Sequence, residues 1–505
     1  MKIIFAAALL WASSLSAQET AEAEQFYDAE SKSGEELKAK VGDKDDPWLE
    51  RPCELGVPLF GELARRLPEN PFFIRGELLS GAFCDDVEGE YEAGLVKLKQ
   101  LENHWPENDF SNLGFYFAFR SNDATEYLSR LRALDDKQLS EFDPERFWQG
   151  ARMINTQGAS DAFDDLMLEW IDSRRLSILP ADLQGGVSRN ALEAAIRQGR
   201  TDMAPQLLAT IRYPSTYVDL LASRKYEPVW PLVAERAGPH LDRITDEYAF
   251  WALGRLENHS EDRDRFSDAA HALHFAGRFE EAIALAQQWR EREGAMESIE
   301  EGDGWALNIE AYANDALGRR KKADAIFDQL AELDPEEHPW VVNFVINRAS
   351  RLVGQERWEE GLEAAGLART VAAKWGSPYA RMIVARDHVC ALMALGRSDE
   401  IAPDLAYLRE NAAEFYPLAA QALQCAGAPG EATALLLEGI RDERYRAGVV
   451  SALQPSAFDL FYTPSQLPEQ RDLLDTSAEL RAAFERYARL VPEEFIPTAS
   501  IRAKR

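Results

Sequence analysis

Residues 315–335, DALGRRKKADAIFDQLAELDP, set a glycine, a small residue, two large apolar residues and a proline at fixed offsets: Gly318, then Ala323, Phe327, Leu330 and Pro335. Gly89 is followed in the same frame by Gly94, Leu98, Leu101 and Pro106. Gly277 leads to Ala282, Ala286 and Trp289, and Gly427 leads to Ala432, Leu436 and Gly439. The stretch ERWEEGLEAAGLA repeats the frame with Gly361, Ala365 and Ala368. Successive turns lie 31 to 41 residues apart, a spacing that implies stacked supersecondary units rather than one globular core.

Each offset has a cause. The glycine lets the chain leave one helix through a left-handed conformation at little steric cost. A small residue five positions on allows two antiparallel helices to approach closely, and the apolar residues four and seven beyond it continue one buried stripe. Proline lacks an N–H and disfavours helix in the residue before it, so it stops the second helix. The unit is a helix hairpin, and helix-length amphipathic segments with almost no alternating strand pattern make the fold class all-α.

The pattern resembles the tetratricopeptide repeat family. It does so best over Gly318–Pro335 and Gly89–Pro106, less closely around Gly277, Trp358, Gly396 and Gly427, and only loosely over 145–250, where Gly199 with Ala204 stands among Pro180, Pro214, Pro228 and Pro231. The resemblance implies an α-α superhelix, a right-handed solenoid of antiparallel hairpins. It also implies that the first helix of each pair lines a concave groove, which would carry His271, His274, Trp305, Asn308, Tyr312, Asp315 and Arg386. Aromatic and amide groups of that kind suit a protein or peptide partner; equally, Trp305 and Tyr312 would serve as packing between repeats. No basic clamp for a terminal carboxylate is recognisable, since Ser267, Asn308 and Ile346 stand where a cation would be wanted.

The organisation expected is a signal peptide over 1–17, an acidic, poorly ordered lead-in over 18–46, degenerate hairpins over 47–250, tetratricopeptide-like repeats over 251–440, and capping helices with a tail over 441–505. The leader rests on Lys2, the apolar run Ile3–Ala12 and small residues up to Ala17, a secretory layout too short to span a bilayer. Such a chain is expected in the periplasm or secreted, with no transmembrane segment after cleavage. The cap rests on Leu480, Phe484, Tyr487 and Leu490 at helical spacing, N-capped by Thr476 or Ser477.

With 87 acidic and 56 basic residues the net charge is −31, which opposes nucleic acid and anionic membranes alike. The four cysteines fall into local pairs, Cys53 with Cys84 and Cys390 with Cys425, 31 and 35 positions apart. Two disulfides and four small buried hydrophobes are both compatible with those gaps. No nucleophile elbow, HExxH, phosphate loop or dinucleotide fingerprint occurs. Asp43–Asp46 lacks the glycine and closing glutamate of a calcium loop. His271 and His274 share a helix face, with Asp264 one to two turns earlier, so a histidine metal site stands beside polar lining as an alternative.

These features lead to a non-enzymatic, exported scaffold that binds a protein or peptide in its groove and needs no cofactor. The alternatives are a helical support for cell-envelope or polysaccharide-processing chemistry and the histidine metal site. The RRKK run of Arg319–Lys322 is expected to be turn punctuation, with its cations complementing the dipole of the preceding helix.

Overall fold

A computed structural model describes residues 51–106, 110–258, 262–292, 294–458 and 465–497. The leader, the lead-in with its Asp43–Asp46 run, and the tail from residue 498 lie outside them. Regular structure among the described residues is helical, apart from one isolated antiparallel bridge between Ser223 and Ala488. The chain divides into two compact units, the first ending at Gln184 and the second beginning at Gly185.

The first unit contains α1 (Val57–Arg66), α2 (Pro71–Glu88), α3 (Tyr91–His104), α4 (Ser111–Arg120), α5 (Ala124–Ala133), α6 (Pro144–Thr156) and α7 (Ser160–Asp172). Helices adjacent in sequence pack together. The small positions are where helices meet: a Cβ on Gly94 would lie 2.5 Å from the Phe117 ring, and one on Gly150 2.2 Å from Tyr127. Gly89 turns between α2 and α3 at φ 80°. A disulfide joins Cys53 to Cys84, with Cα atoms 4.7 Å apart.

The second unit begins its site-forming part with α8 (Pro214–Ala222), α9 (Trp230–Ala237) and α10 (Asp242–Asn258). Hairpins follow: α11 (Arg263–Phe275) with α12 (Phe279–Arg290), α13 (Glu301–Ala316) with α14 (Arg320–Ala331), and α15 (Val341–Gly354) with α16 (Trp358–Trp375). Then come α17 (Pro378–Ala394) with α18 (Ala402–Glu410), α19 (Tyr416–Cys425) with α20 (Pro429–Arg441), α21 (Glu443–Ala452) and α22 (Ala478–Tyr487). The first helices α11, α13, α15, α17, α19 and α21 pack on one another in that order, and the result is an α-α solenoid. Local chemistry sets the ends. Ser377 caps α17 by accepting from the Ala380 N–H, with Pro378 at the first helical position. Gly318 turns at φ 75°, whereas the equivalent turn before Trp358 uses Glu356 at φ 60°.

In the hairpin that turns at Gly318, Ala323, Phe327 and Leu330 are all fully buried. Arg319 of the RRKK run makes a two-pronged ion pair with Glu280 on the preceding hairpin, so the first of the four cations ties neighbouring turns together. A second disulfide, Cys390–Cys425, joins the adjacent first helices α17 and α19 with Cα atoms 5.1 Å apart, inside the roughly 7 Å limit for bridging.

The row of hairpins in the second unit is closed on itself. Helix α8 packs against α21. The Arg489 N–H donates to the Ala222 carbonyl at 2.8 Å, its Nε donates to the Leu221 carbonyl at 2.8 Å, and its guanidinium lies 3.5 Å from the Trp230 ring centroid. His240 Nδ1 donates to the Ile496 carbonyl at 2.8 Å. The capping helix starts on Ser477 as expected and buries Leu480 and Phe484, but it ends at Tyr487. Leu490 is therefore not on its face: residues 488–489 leave the helix to pair with 221–223, ahead of Pro492, which could not have continued it.

Replacing Cys390 and Cys425 together by serine opens a 35-residue loop, and is expected to destabilise the second unit by about 3 kcal/mol. Urea unfolding followed by tryptophan fluorescence measures it; a loss below about 1 kcal/mol would show that the crosslink adds little to this packing.

Candidate functional site

The inner wall of the second unit is a continuation, helix by helix, of one stripe. On α13 it carries Tyr312; on α15, Asn347, Ser350 and Arg351; on α17, Tyr379, Ile383 and Arg386; on α19, Leu418 and Gln421. These side chains, together with Ser451 and Ala452 of α21, Gln454 and Phe458, line a cavity of about 440 Å³. Its opposite side includes Ser215 and Val218 of α8, brought there by the closure.

Burial and charge make this wall stiff. Arg351 is almost wholly enclosed and makes a bidentate pair with Asp315, its Nη2 donating at 2.7 Å, while its Nη1 donates to Asp324 at 2.7 Å. Burial opposes the Arg351 charge, yet the two carboxylates more than offset it and its pKa is raised. Gln355 Nε2 donates to Asp315 at 3.1 Å, and Arg357 Nη1 joins at Asp324. One helix further, the fully buried Asp387 accepts from Ser350 and lies 2.7 Å from Arg386 Nε. Burial pushes its carboxyl pKa up against the opposing pull of Arg386 and Ser350.

Residues 465–470, SQLPEQ, form a non-helical strap across this wall. The Gln466 N–H donates to the Gly354 carbonyl at the end of α15 at 2.7 Å. Leu467 is buried with Val353 of α15 and with Cys390 and Ala391 of α17, Trp358, Leu362 and Cys425 packing around them. On α19, Gln421 Nε2 donates to the Pro468 carbonyl and Gln424 Nε2 to the Glu469 carbonyl, each at 3.3 Å. Gln470 donates to the Pro417 carbonyl, and Ser456 to the Glu469 carboxylate. Leu467 to Gln470 also form part of the cavity lining. The strap thus steps from α15 to α17 to α19, held by one apolar anchor and by side-chain amides that grip its main chain.

Of the seven residues expected in the groove, Tyr312 and Arg386 line the cavity, Tyr312 with its ring 5.5 Å from Phe327 and 1% exposed. Trp305 packs between repeats, half-buried, 5.1 Å from the Phe344 ring of α15. Asn308 is fully buried and accepts from Asn347 at 3.2 Å, and Asp315 is the partner of Arg351. His271 and His274 stand apart from the cavity. His271 Nδ1 donates to the Ser267 carbonyl at 2.9 Å, and His274 is buried against the Phe279 ring at 5.3 Å. Among the described residues, the one grouping of three ligand atoms close enough for a metal is Cys53, Cys84 and Glu88, whose cysteines are bonded to each other. Asp264, His271 and His274 do not converge.

Sequence reasoning missed Tyr379, Gln421 and Gln424. Transferring the α13 offsets to the turns at Gly396 and Gly427 reaches Ile383 and Arg386, and Gln421 with Gln424; Tyr379 lies one helical turn further back on α17, and nothing periodic marks the strap. Among the described residues no helix is long and apolar enough to cross a membrane. No protein-family model and no curated protein matches the chain.

The two histidines give a pH signature. Burial lowers His271 to about 4 and, with the His271 charge as a lesser cause, His274 to about 3. Unfolded, both rings protonate near 6.5, so their contribution to stability is complete above that pH and is lost as pH falls towards 4. Between pH 6 and 4.5 the pair is expected to cost up to about 2.7 kcal/mol per pH unit, and His274→Leu to remove about half that slope. Denaturant midpoints across the interval measure it; equal slopes in wild type and variant would contradict the burial argument.

Proposed function

We propose that the chain is a non-enzymatic, exported scaffold of tetratricopeptide-like repeats that binds a protein partner through a peptide segment laid on the inner wall of residues 185–497. One observation carries the proposal: that wall already holds a stretch of main chain, with Gln421 and Gln424 donating to the carbonyls of Pro468 and Glu469. A surface that satisfies backbone carbonyls with side-chain amides, and supplies an apolar socket beside them, has the chemistry for peptide recognition. The cavity next to the strap, with Tyr379 and Phe458 among its aromatic lining, offers room for a partner's flanking side chains.

Repeat geometry supports the family assignment, since Gly318, Ala323, Phe327 and Leu330 do in three dimensions what a tetratricopeptide hairpin asks of them. Export to the periplasm or beyond is supported by the leader pattern and by two disulfides, which persist in oxidising compartments. A net charge of −31 supports a protein partner over a nucleic acid.

The test is selection of a displayed random peptide library on the full exported chain, with affinities of the selected peptides then measured against Tyr379→Ala and Gln421→Ala. Tyr379 is 44% exposed, so its loss should leave folding intact. Each substitution is expected to weaken the selected peptides by roughly tenfold, about 1.4 kcal/mol. A library that yields no binders, or binders indifferent to both substitutions, would overturn the proposal.

A further inference from the structure

The strap has the features of a bound ligand. It uses no regular structure of its own, it crosses three consecutive first helices of the inner wall, and much of its hold is on main chain: the Gln466 N–H and the Pro468 and Glu469 carbonyls, beside the Leu467 anchor and the Gln470 and Glu469 side chains. Neighbouring helix axes lie about 8–10 Å apart, and a chain gains at most about 3.3–3.6 Å per residue, so only an extended backbone crosses from Gly354 to Gln424 in so few positions. Pro468 suits such a site because it presents a carbonyl without an N–H that would need a partner. The socket for Leu467 has the Cys390–Cys425 bridge as part of its wall, so its shape depends on an oxidised crosslink rather than on mobile side chains.

The apolar part of that grip is slight. Leu467 is the strap's one buried apolar side chain, and the cavity beside it leaves Tyr379 and Arg386 on a surface that the strap shares without filling. A peptide that reproduced the Leu-Pro contacts and added side chains reaching into that cavity would hold the wall more tightly than residues 465–470 do.

We propose that residues 465–470 are an internal competitor for the binding wall, and that the partner is an extended peptide carrying a Leu-Pro pair which displaces them. The inference rests on the peptide-binding function proposed above and adds to it the chemistry of the partner and a built-in brake. The leucine enters the Val353–Cys390–Ala391 socket, the carbonyls after it accept from Gln421 and Gln424, and the residues before it run towards Gly354.

The experiment uses the full chain and a fluorescein-labelled SQLPEQR peptide, with its Leu→Asp counterpart as control. Leu467→Asp expels the chain's own anchor, and this variant is expected to bind the labelled peptide at least tenfold more tightly than wild type does. Adding Gln421→Ala and Gln424→Ala to Leu467→Asp should return binding to the level of the control peptide. Hydrogen exchange on the wild type needs no variant: millimolar SQLPEQR should speed exchange at the Gln466 and Leu467 amides. A folded Leu467→Asp protein that binds no better than wild type overturns the inference; should that variant fail to fold, unchanged exchange at Gln466 and Leu467 overturns it. Library-selected peptides that bind at Tyr379 and Gln421 while the strap stays protected would leave the peptide-binding function standing and remove the competitor. Absence of any peptide binding would remove both.

Discussion

A two-helix hairpin leaves one side of its apolar stripe uncovered, and the second unit is organised by the need to cover it. Phe344 of α15 fills the space above Gly304 and Trp305 of α13, where a Cβ on Gly304 would come within 2.6 Å of the ring. Each hairpin therefore depends on the next, which leaves a problem only at the ends of the row. Here the ends meet: Ala222 and Leu221 accept from Arg489, and α8 packs on α21. Closure adds Ser215 and Val218 of α8 to the lining of the cavity.

Tight stacking also explains why the inner wall carries buried charge. Polar residues on successive first helices come into direct contact, Asp315 with Arg351 and Asn308 with Asn347. Ion pairs of this sort contribute little net stability compared with apolar residues of the same volume, but breaking one leaves an uncompensated buried charge worth about 3–5 kcal/mol. The Arg351 network thus penalises any slip of α15 along α13 and α14. A wall held in one register can present Gln421, Gln424 and the Leu467 socket at fixed spacing, which is what recognition of an extended main chain requires.

Much of the architecture was legible in the sequence because it is local. Gly318, Ala323, Phe327, Leu330 and Pro335 sit within one hairpin, and their spacing reports helix periodicity and a left-handed turn directly. The Cys pairs were legible as pairs, since 31 and 35 residues is close to one repeat, but spacing alone could not distinguish a bridge from two buried hydrophobes; their Cα separations of 4.7 and 5.1 Å do. Of the stripe expected on α13, Trp305, Asn308, Tyr312 and Asp315, the cavity lining includes Tyr312 alone. How much of it stays open depends on how closely α15 stacks, so Trp305 and Asn308 are spent on packing while Tyr312 reaches the cavity. The strap was not legible: six non-periodic residues bind helices up to 114 positions earlier (Leu467 to Val353), and only the folded solenoid brings them there. The same holds for Leu490, whose helical spacing lost to pairing with residues more than 250 positions away.

The central claim is that the wall of α15, α17 and α19 is a peptide site which residues 465–470 occupy reversibly. A Cβ built on Gly354 lies 3.3 Å from the Ser465 Cβ, near the range a disulfide spans, so Gly354→Cys with Ser465→Cys can lock the strap in place. The most direct measurement is calorimetric titration of a wall-binding peptide into this double variant, oxidised so that the strap is locked, and into the Ser465→Cys single variant, in which the strap is released. The account predicts no binding when locked and recovery when released; equal affinity in the two states would contradict it.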